Sequence, residues 1–149
     1  SLLVGEGPLG AIAPDAGARA DIEKAAAIAD ALGVWDIGQA LVVCAGLVLA
    51  VEAQEGTDGM LERVAGLRAA VRGSGAARRG VVLKRPKPQQ ERRIDLPTIG
   101  LETLERAAVA GLAGIAVEAG GALVWEKAEL AARADALGLF VYGFAPEPR

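Results

Sequence analysis

The sequence predicts an α/β domain, a mixed sheet with helices packed on it, and three observations carry that prediction. In the second half of the chain, short β-branched apolar runs alternate with helical stretches, as in strand–helix–strand units with parallel pairing. In the first half, two apolar runs at 39–44 and 47–52 flank the pair Ala45-Gly46 and read as a hairpin, which makes the sheet mixed. The chain has 149 residues, 52% of them hydrophobic, enough for one domain with its own core.

The opening 1–16 is rich in Gly and Pro and reads as a linker or loop, with a short strand possible at Leu2–Val4. A helix is expected from about Ala18 to Leu32, with Ile22, Ala25, Ala26, Ala29 and Leu32 on one face and Gly33 as its stop. Both hairpin runs are almost uninterruptedly apolar, so both strands are expected to be covered on two faces. Together with 114–118 they are expected to form the centre of the sheet. Thr57 is placed to cap a helix from about Asp58 to Val71 that turns Met60, Leu61, Val64 and Leu67 inward. Residues 72–80 read as a loop and Val81–Lys84 as a strand. Pro86 and Pro88 keep 85–93 extended, and Ile94–Leu96 is a candidate short strand. A helix opens at Thr98 or Gly100 and ends at Gly111, and 114–118 is a buried strand. Leu123–Trp125 is a further candidate strand, a helix runs from Glu126 to Leu137 before Gly138, and 139–144 closes the chain as a strand.

Composition excludes several functions. With no histidine there is no Ser-His-Asp or Cys-His machinery and no Cys/His zinc site. Cys44 is the single cysteine, so no disulfide framework exists, and its apolar strand makes it a core residue rather than a reactive one. Aromatic residues are 3% of the chain, too few for a base-stacking platform. The longest uncharged run, Ile37 to Val51, is shorter than the ~20 apolar residues of a membrane span. Chemistry is left to carboxylates, Lys, Arg, hydroxyls, backbone N–H groups or a metal held by oxygen.

A net charge of −3 hides an asymmetry. Residues 72–93 hold eight basic side chains against Glu91, giving +7 and leaving −10 for the remainder. This segment is either a solvated basic loop or a polyanion site, in which Lys84, Arg85 and Lys87 would neutralise phosphate and face one cleft with Asp58. Asp95 follows the basic run, between Ile94 and Leu96. It reads equally as a turn aspartate before Thr98 and as an ionised strand-end carboxylate that binds Mg²⁺ or orients water. Glu55-Gly-Thr57-Asp58 is either plain capping or a phosphate and metal corner at a helix start. Glu118-Ala-Gly-Gly121 poses the same choice between a tight turn and a ligand's approach to the backbone. Gly5-Glu-Gly-Pro-Leu-Gly10 lacks the spacing of a phosphate loop.

Five stretches in order, EGPLGAIAPD (6–15), DIGQALVV (36–43), EGTDGML (55–61), KRPKPQQERRIDLPTIG (84–100) and AGIAVEAGGAL (113–123), make this chain resemble the C-terminal domain of the LpxI family. These are UDP-2,3-diacylglucosamine pyrophosphatases of Gram-negative bacteria, and KRPKPQQERRIDLPTIG is the most specific stretch. The resemblance implies that residues 17–149 are the C-terminal catalytic domain of a two-domain enzyme whose N-terminal domain lies outside this chain. It implies hydrolysis of UDP-2,3-diacylglucosamine to 2,3-diacylglucosamine 1-phosphate (lipid X) and UMP, with Mg²⁺ or another divalent cation and with the lipid between the domains. It marks Asp95 as the catalytic residue, and Asp95 with Glu118 are the expected metal ligands. Thr57, Asp58, Lys84, Arg85 and Lys87 are the expected substrate contacts. The expected setting is cytoplasmic, peripheral at the inner membrane surface, with no nucleic-acid partner. The alternative is a non-catalytic module for a UDP-sugar or phospholipid head group. A nucleic-acid-binding domain using residues 72–93 is disfavoured by the acidic remainder and the few aromatics.

Overall fold

The computed structural model describes residues 2–86 and 96–145. Ten elements run in the order β1 (Gly7–Pro8), α1 (Ala16–Val34), β2 (Ala40–Cys44), β3 (Leu47–Val51), α2 (Gly56–Ala65), β4 (Val81–Lys84), α3 (Leu101–Val109), β5 (Gly114–Glu118), α4 (Lys127–Leu137) and β6 (Phe140–Phe144). The six strands form one mixed sheet of order β1-β6-β5-β4-β2-β3. β4, β5 and β6 are parallel, while β2 runs antiparallel to β4, β3 to β2 and β1 to β6. This is the predicted α/β class.

Alternation along each strand sends neighbouring side chains to opposite faces. Leu41, Val43, Val81, Leu83 and Ala116 meet α1 through Ile22 and Ala25. Val42, Val82, Ile115, Val117 and Val141 face the other way and pack with Met60 and Leu61 of α2, Leu104 of α3 and Leu130 of α4. The chain thus lays one helix on one face and three on the other. Two of those three are the crossovers that return β4 to β5 and β5 to β6.

Local chemistry explains the elements. The Asp15 carboxylate accepts the Ala18 N–H at 2.8 Å and starts α1. That helix passes the expected stop at Gly33 and ends where Asp36, at φ 51°, reverses the chain. Ala45 and Gly46 take φ of 49° and 81°, the left-handed pair of a type I′ hairpin turn. Asp21 of α1 is buried and accepts both turn N–H groups, Ala45 at 3.0 Å and Gly46 at 2.8 Å, which locks the hairpin to the helix. Cys44 is fully buried, and burial pushes its thiol up from the ordinary value, away from thiolate chemistry.

Several expectations are corrected. β3 is an edge strand with Leu47 and Val48 exposed, so it is neither central nor covered on two faces. α2 stops at Ala65 rather than Val71, which leaves Leu67 exposed. Leu123 makes only isolated bridges, to Leu3 and Thr98, in place of the two short strands expected at 2–4 and 123–125. The opening residues are tied in closely: Val4 is buried and donates to Ala122 O, and Leu9 donates to Val141 O. Among the described residues no helix is long and apolar enough to cross a membrane.

Candidate functional site

The three parallel strands end together at Lys84, Glu118 and Phe144. β3 ends, and β2 begins, at that same edge, because Ala40 pairs with Lys84 and Leu41 with Val51. Open α/β sheets bind ligands outside the carboxyl ends of their strands, where loops leave a rigid scaffold. Five of the seven expected site residues, Thr57, Asp58, Lys84, Arg85 and Glu118, lie at or beside this rim. Lys87 and Asp95 lie outside the described residues.

The rim has two sides. On the side of α2 and α3, Lys84 emerges half-buried beyond Val82. Burial pulls its ammonium below the ordinary lysine value, while the negative charges of Glu52 and Asp58 pull back. Among the described residues no hydrogen bond or ion pair holds this ammonium. Asp58, in the first turn of α2, accepts from the Thr103 hydroxyl at 3.2 Å and lies 3.8 Å from the Arg106 guanidinium, both on α3. Thr57 is buried and does not cap the helix: its hydroxyl donates to Glu52 instead. Glu55 occupies the cap position with no side-chain hydrogen bond to the helix, so the first N–H groups of α2 lack a side-chain acceptor there.

On the other side, Arg85 turns toward α1. Its guanidinium donates to Ala26 O at 3.1 Å, pairs with Asp30 at 2.6 Å and reaches Glu118 at 3.5 Å. Lys84 and Arg85 are consecutive residues leaving a strand, so they point to opposite faces and do not share the cleft expected for them. Arg85 is 8% exposed and lines the inner wall of a groove of about 380 Å³ with Arg19, Ile22, Asp30, Tyr142 and Phe144. The Arg19 guanidinium stands 5.6 Å from the centre of the Tyr142 ring across that groove.

The remaining described members of the basic run are elsewhere. Arg72, Arg78 and Arg79 precede β4, at the opposite edge of the sheet, and their guanidiniums are spent on backbone carbonyls. Arg78 alone reaches Leu137 O at 3.0 Å, Ala108 O at 2.8 Å and Leu112 O at 3.4 Å. Arg72 holds Leu67 O at 3.0 Å and Gly73 O at 2.9 Å, and Arg79 holds Ala70 O at 2.9 Å.

The family model for the LpxI C-terminal domain matches residues 5–142. The chain belongs to that family. It is similar to the UDP-2,3-diacylglucosamine pyrophosphatase LpxI of Caulobacter vibrioides, 57% identical over 143 residues. That alignment covers 96% of this chain and 51% of the relative, so the chain spans about half the length of the LpxI protein it matches. The matched range contains all five stretches that carry the resemblance.

Sequence reasoning passed over Glu52. Its signal was present: an acid closing an apolar strand, five residues before a threonine at a helix start. A carboxylate there meets several backbone and side-chain donors at once. As for a metal, no group of three carboxylates gathers among the described residues. Glu118, the described member of the expected ligand pair, is engaged by Arg85.

Proposed function

We propose that this domain is the C-terminal lobe of an enzyme that hydrolyses the pyrophosphate of UDP-2,3-diacylglucosamine, giving lipid X and UMP. The observation that carries the reading is Lys84: a half-buried ammonium at the carboxyl rim of the sheet, without a described hydrogen-bonding partner, in a chain 57% identical to a protein named for that reaction. An ammonium stripped of water and not committed to the protein is suited to phosphate oxygens. The start of α2 adds N–H groups that favour an anion.

In this reading Lys84 holds the pyrophosphate, with Lys87 as a second cation, while Thr57 and Asp58 shape the floor beside it. Asp95 takes a proton from the attacking water as its oxygen bonds to phosphorus and the anhydride P–O bond breaks. Arg85, committed to Asp30 and Glu118, anchors the exit of β4. Mg²⁺ or another divalent cation belongs to the proposal, with Asp95 and Glu118 as ligands. Among the described residues, Glu118 is engaged by Arg85 and no cluster of carboxylates gathers beside it, so these residues alone do not fit such an ion. The rest of the reading is an N-terminal domain as partner and a cytoplasmic position at the inner membrane surface. The two tryptophans, Trp35 after α1 and Trp125 after β5, are exposed and suited to a lipid interface.

The test is turnover of UDP-2,3-diacylglucosamine by the full-length protein, comparing wild type with Asp95→Asn and with chelated metal. The expected result is release of UMP by the wild type, and loss of release but retained substrate in Asp95→Asn. Substrate binding without UMP release by the metal-supplied wild type would instead identify a non-catalytic head-group module.

A further inference from the structure

Glu52 sits at the carboxyl end of β3 with its side chain inside the protein. One carboxylate oxygen, Oε1, accepts the Gln39 N–H at 2.9 Å. The other, Oε2, accepts the Thr57 hydroxyl. Its own N–H donates to Ala40 O at 2.9 Å. Gly38 passes so near that a Cβ there would lie 2.2 Å from Glu52 O, so the chain entering β2 is wrapped onto this residue. One side chain therefore joins the start of β2, the end of β3 and the first turn of α2. β4 delivers Lys84 beside that junction, because Lys84 pairs with Ala40, whose carbonyl accepts the Glu52 N–H.

We propose that Glu52 is a positioning residue for the anion site: its buried carboxylate fixes the α2 start beside Lys84 and places a negative charge near the ammonium without pairing with it. Burying a carboxylate is unfavourable without donors or a cation, and Glu52 has two donors and a neighbouring lysine. Among the described residues, the charged groups on this side of the rim include Glu52 after β3, Glu55 paired with Arg63 of α2, Asp58 of α2, and Arg106 of α3, which also pairs with Glu62 and Glu102. Asp58 shares its charge with Arg106 and accepts from Thr103. Glu52 makes no ion pair among the described residues, and its charge acts on Lys84 together with that of Asp58. Arg85 and Glu118 face α1, on the other side of the sheet. A substrate phosphate arriving at Lys84 meets an ammonium already positioned, with less ordering left to be done on binding.

The inference rests on the pyrophosphate reading of the rim, and its test separates the two. The Lys84 ammonium is titrated by NMR of lysine-labelled full-length protein, in the wild type, Glu52→Gln and Glu52→Asp, and the KM for UDP-2,3-diacylglucosamine is measured alongside. Glu52→Gln keeps size and much of the hydrogen bonding but removes the charge. Its Lys84 midpoint is expected to move to lower pH and its KM to rise about tenfold, the size of one weakened charge-assisted contact, with a smaller change in kcat. Glu52→Asp keeps the charge but withdraws it by one methylene, so its midpoint is expected between those of Glu52→Gln and the wild type. If Glu52→Gln does not fold, the comparison of Glu52→Asp with wild type is decisive, because a shorter acid must still move the lysine midpoint. An unmoved Lys84 midpoint in every folded variant overturns the inference and leaves Glu52 a purely structural clasp. A protein that never hydrolyses the substrate overturns the pyrophosphatase reading, while the titration still decides the role of Glu52.

Discussion

The two ends of β4 carry the same kind of sequence and do different work. Before the strand, Arg72, Arg78 and Arg79 close on carbonyls that end helices and loops. At its other end, Arg85 meets Asp30 and Glu118, while Lys84 stands near Glu52 and Asp58 without pairing with either. Three strand residues, Val81 to Leu83, lie between the two groups, ~10 Å of extended chain. A run that sums to +7 in sequence is therefore not one basic patch. Arg78 shows the reason. α4 has no basic residue in its last turn, and the carbonyls there gain their cation from a loop more than fifty residues away in sequence. A guanidinium offers five donors in a fixed fork, which suits several carbonyls at the negative ends of α3 and α4. The strand then alternates, and Lys84 and Arg85 part to opposite faces. Of the five basic residues described in this run, Lys84 is left available to a ligand.

That comparison breaks most sharply at Lys84. Lys84→Met is expected to reduce turnover about a hundredfold, the loss of a strong charge-assisted contact. The same change removes a charge held at a buried position, so melting temperature should hold or rise. Steady-state kinetics with a thermal melt reads both. A variant with wild-type turnover would show that the rim does not use its lysine, and the contrast between the strand ends would lose its functional half.

Arg78→Ala should do the reverse. It leaves three carbonyls without their donor and is expected to destabilise the domain by about 3 kcal/mol, with KM unchanged. Denaturant unfolding beside KM measurement checks this. A raised KM in a fully stable variant would return Arg78 to the polyanion site.

Arg85→Ala is intermediate. Its guanidinium is inside while Asp30 is largely outside, so the pair is worth less than a fully buried one. The expected loss is about 2 kcal/mol of stability, with a small rise in KM as the exit of β4 loosens. A tenfold or larger rise in KM at unchanged stability would make Arg85 a substrate contact after all.

Sequence pattern was sufficient wherever one local rule decided the outcome. The strand 114–118 is a buried β-branched run between glycines, the hairpin turn is a left-handed pair, and α4 stops at Gly138. It was insufficient where partners distant in the chain decided. Leu47 and Val48 look as apolar as Val42 and Val43. They lie on an edge because β4 pairs with the far side of β2, which the hairpin itself does not encode. α2 ends early, with Gly66 as its cap, and Arg72, beyond the helix, holds Leu67 O in the segment that follows. At the rim, the residue types were legible but their facing was not. Thr57 read as a cap and became a donor to Glu52. Lys84 and Arg85 read as partners and lie on opposite sides. Glu52 passed unremarked because nothing in a single strand announces which loops will close over its end.

The smallest effect predicted is a pH dependence, and it sharpens the comparison most. Burial holds the Lys84 ammonium below its ordinary value of 10.5, with Glu52 and Asp58 opposing the shift. Phosphate binding needs the protonated form. As pH rises through the lowered value, kcat/KM should fall along an alkaline limb that begins below the usual lysine range. Stability runs the opposite way. Between the folded and the ordinary value the unfolded chain binds more protons at this lysine than the folded one, so unfolding becomes less favourable as pH rises. Activity and the Lys84 contribution to stability should therefore move in opposite directions through one window, the first falling and the second rising. Lys84→Arg keeps its charge throughout and should lose the alkaline limb while retaining part of the binding. Lys84→Met should flatten the stability difference across the same pH range. Arg78 lies at the opposite end of β4 from Lys84 and holds backbone carbonyls there, so Arg78→Ala should leave the limb where it is. An alkaline limb that persists unchanged in Lys84→Arg would assign the titration to another group and remove Lys84 from the binding step.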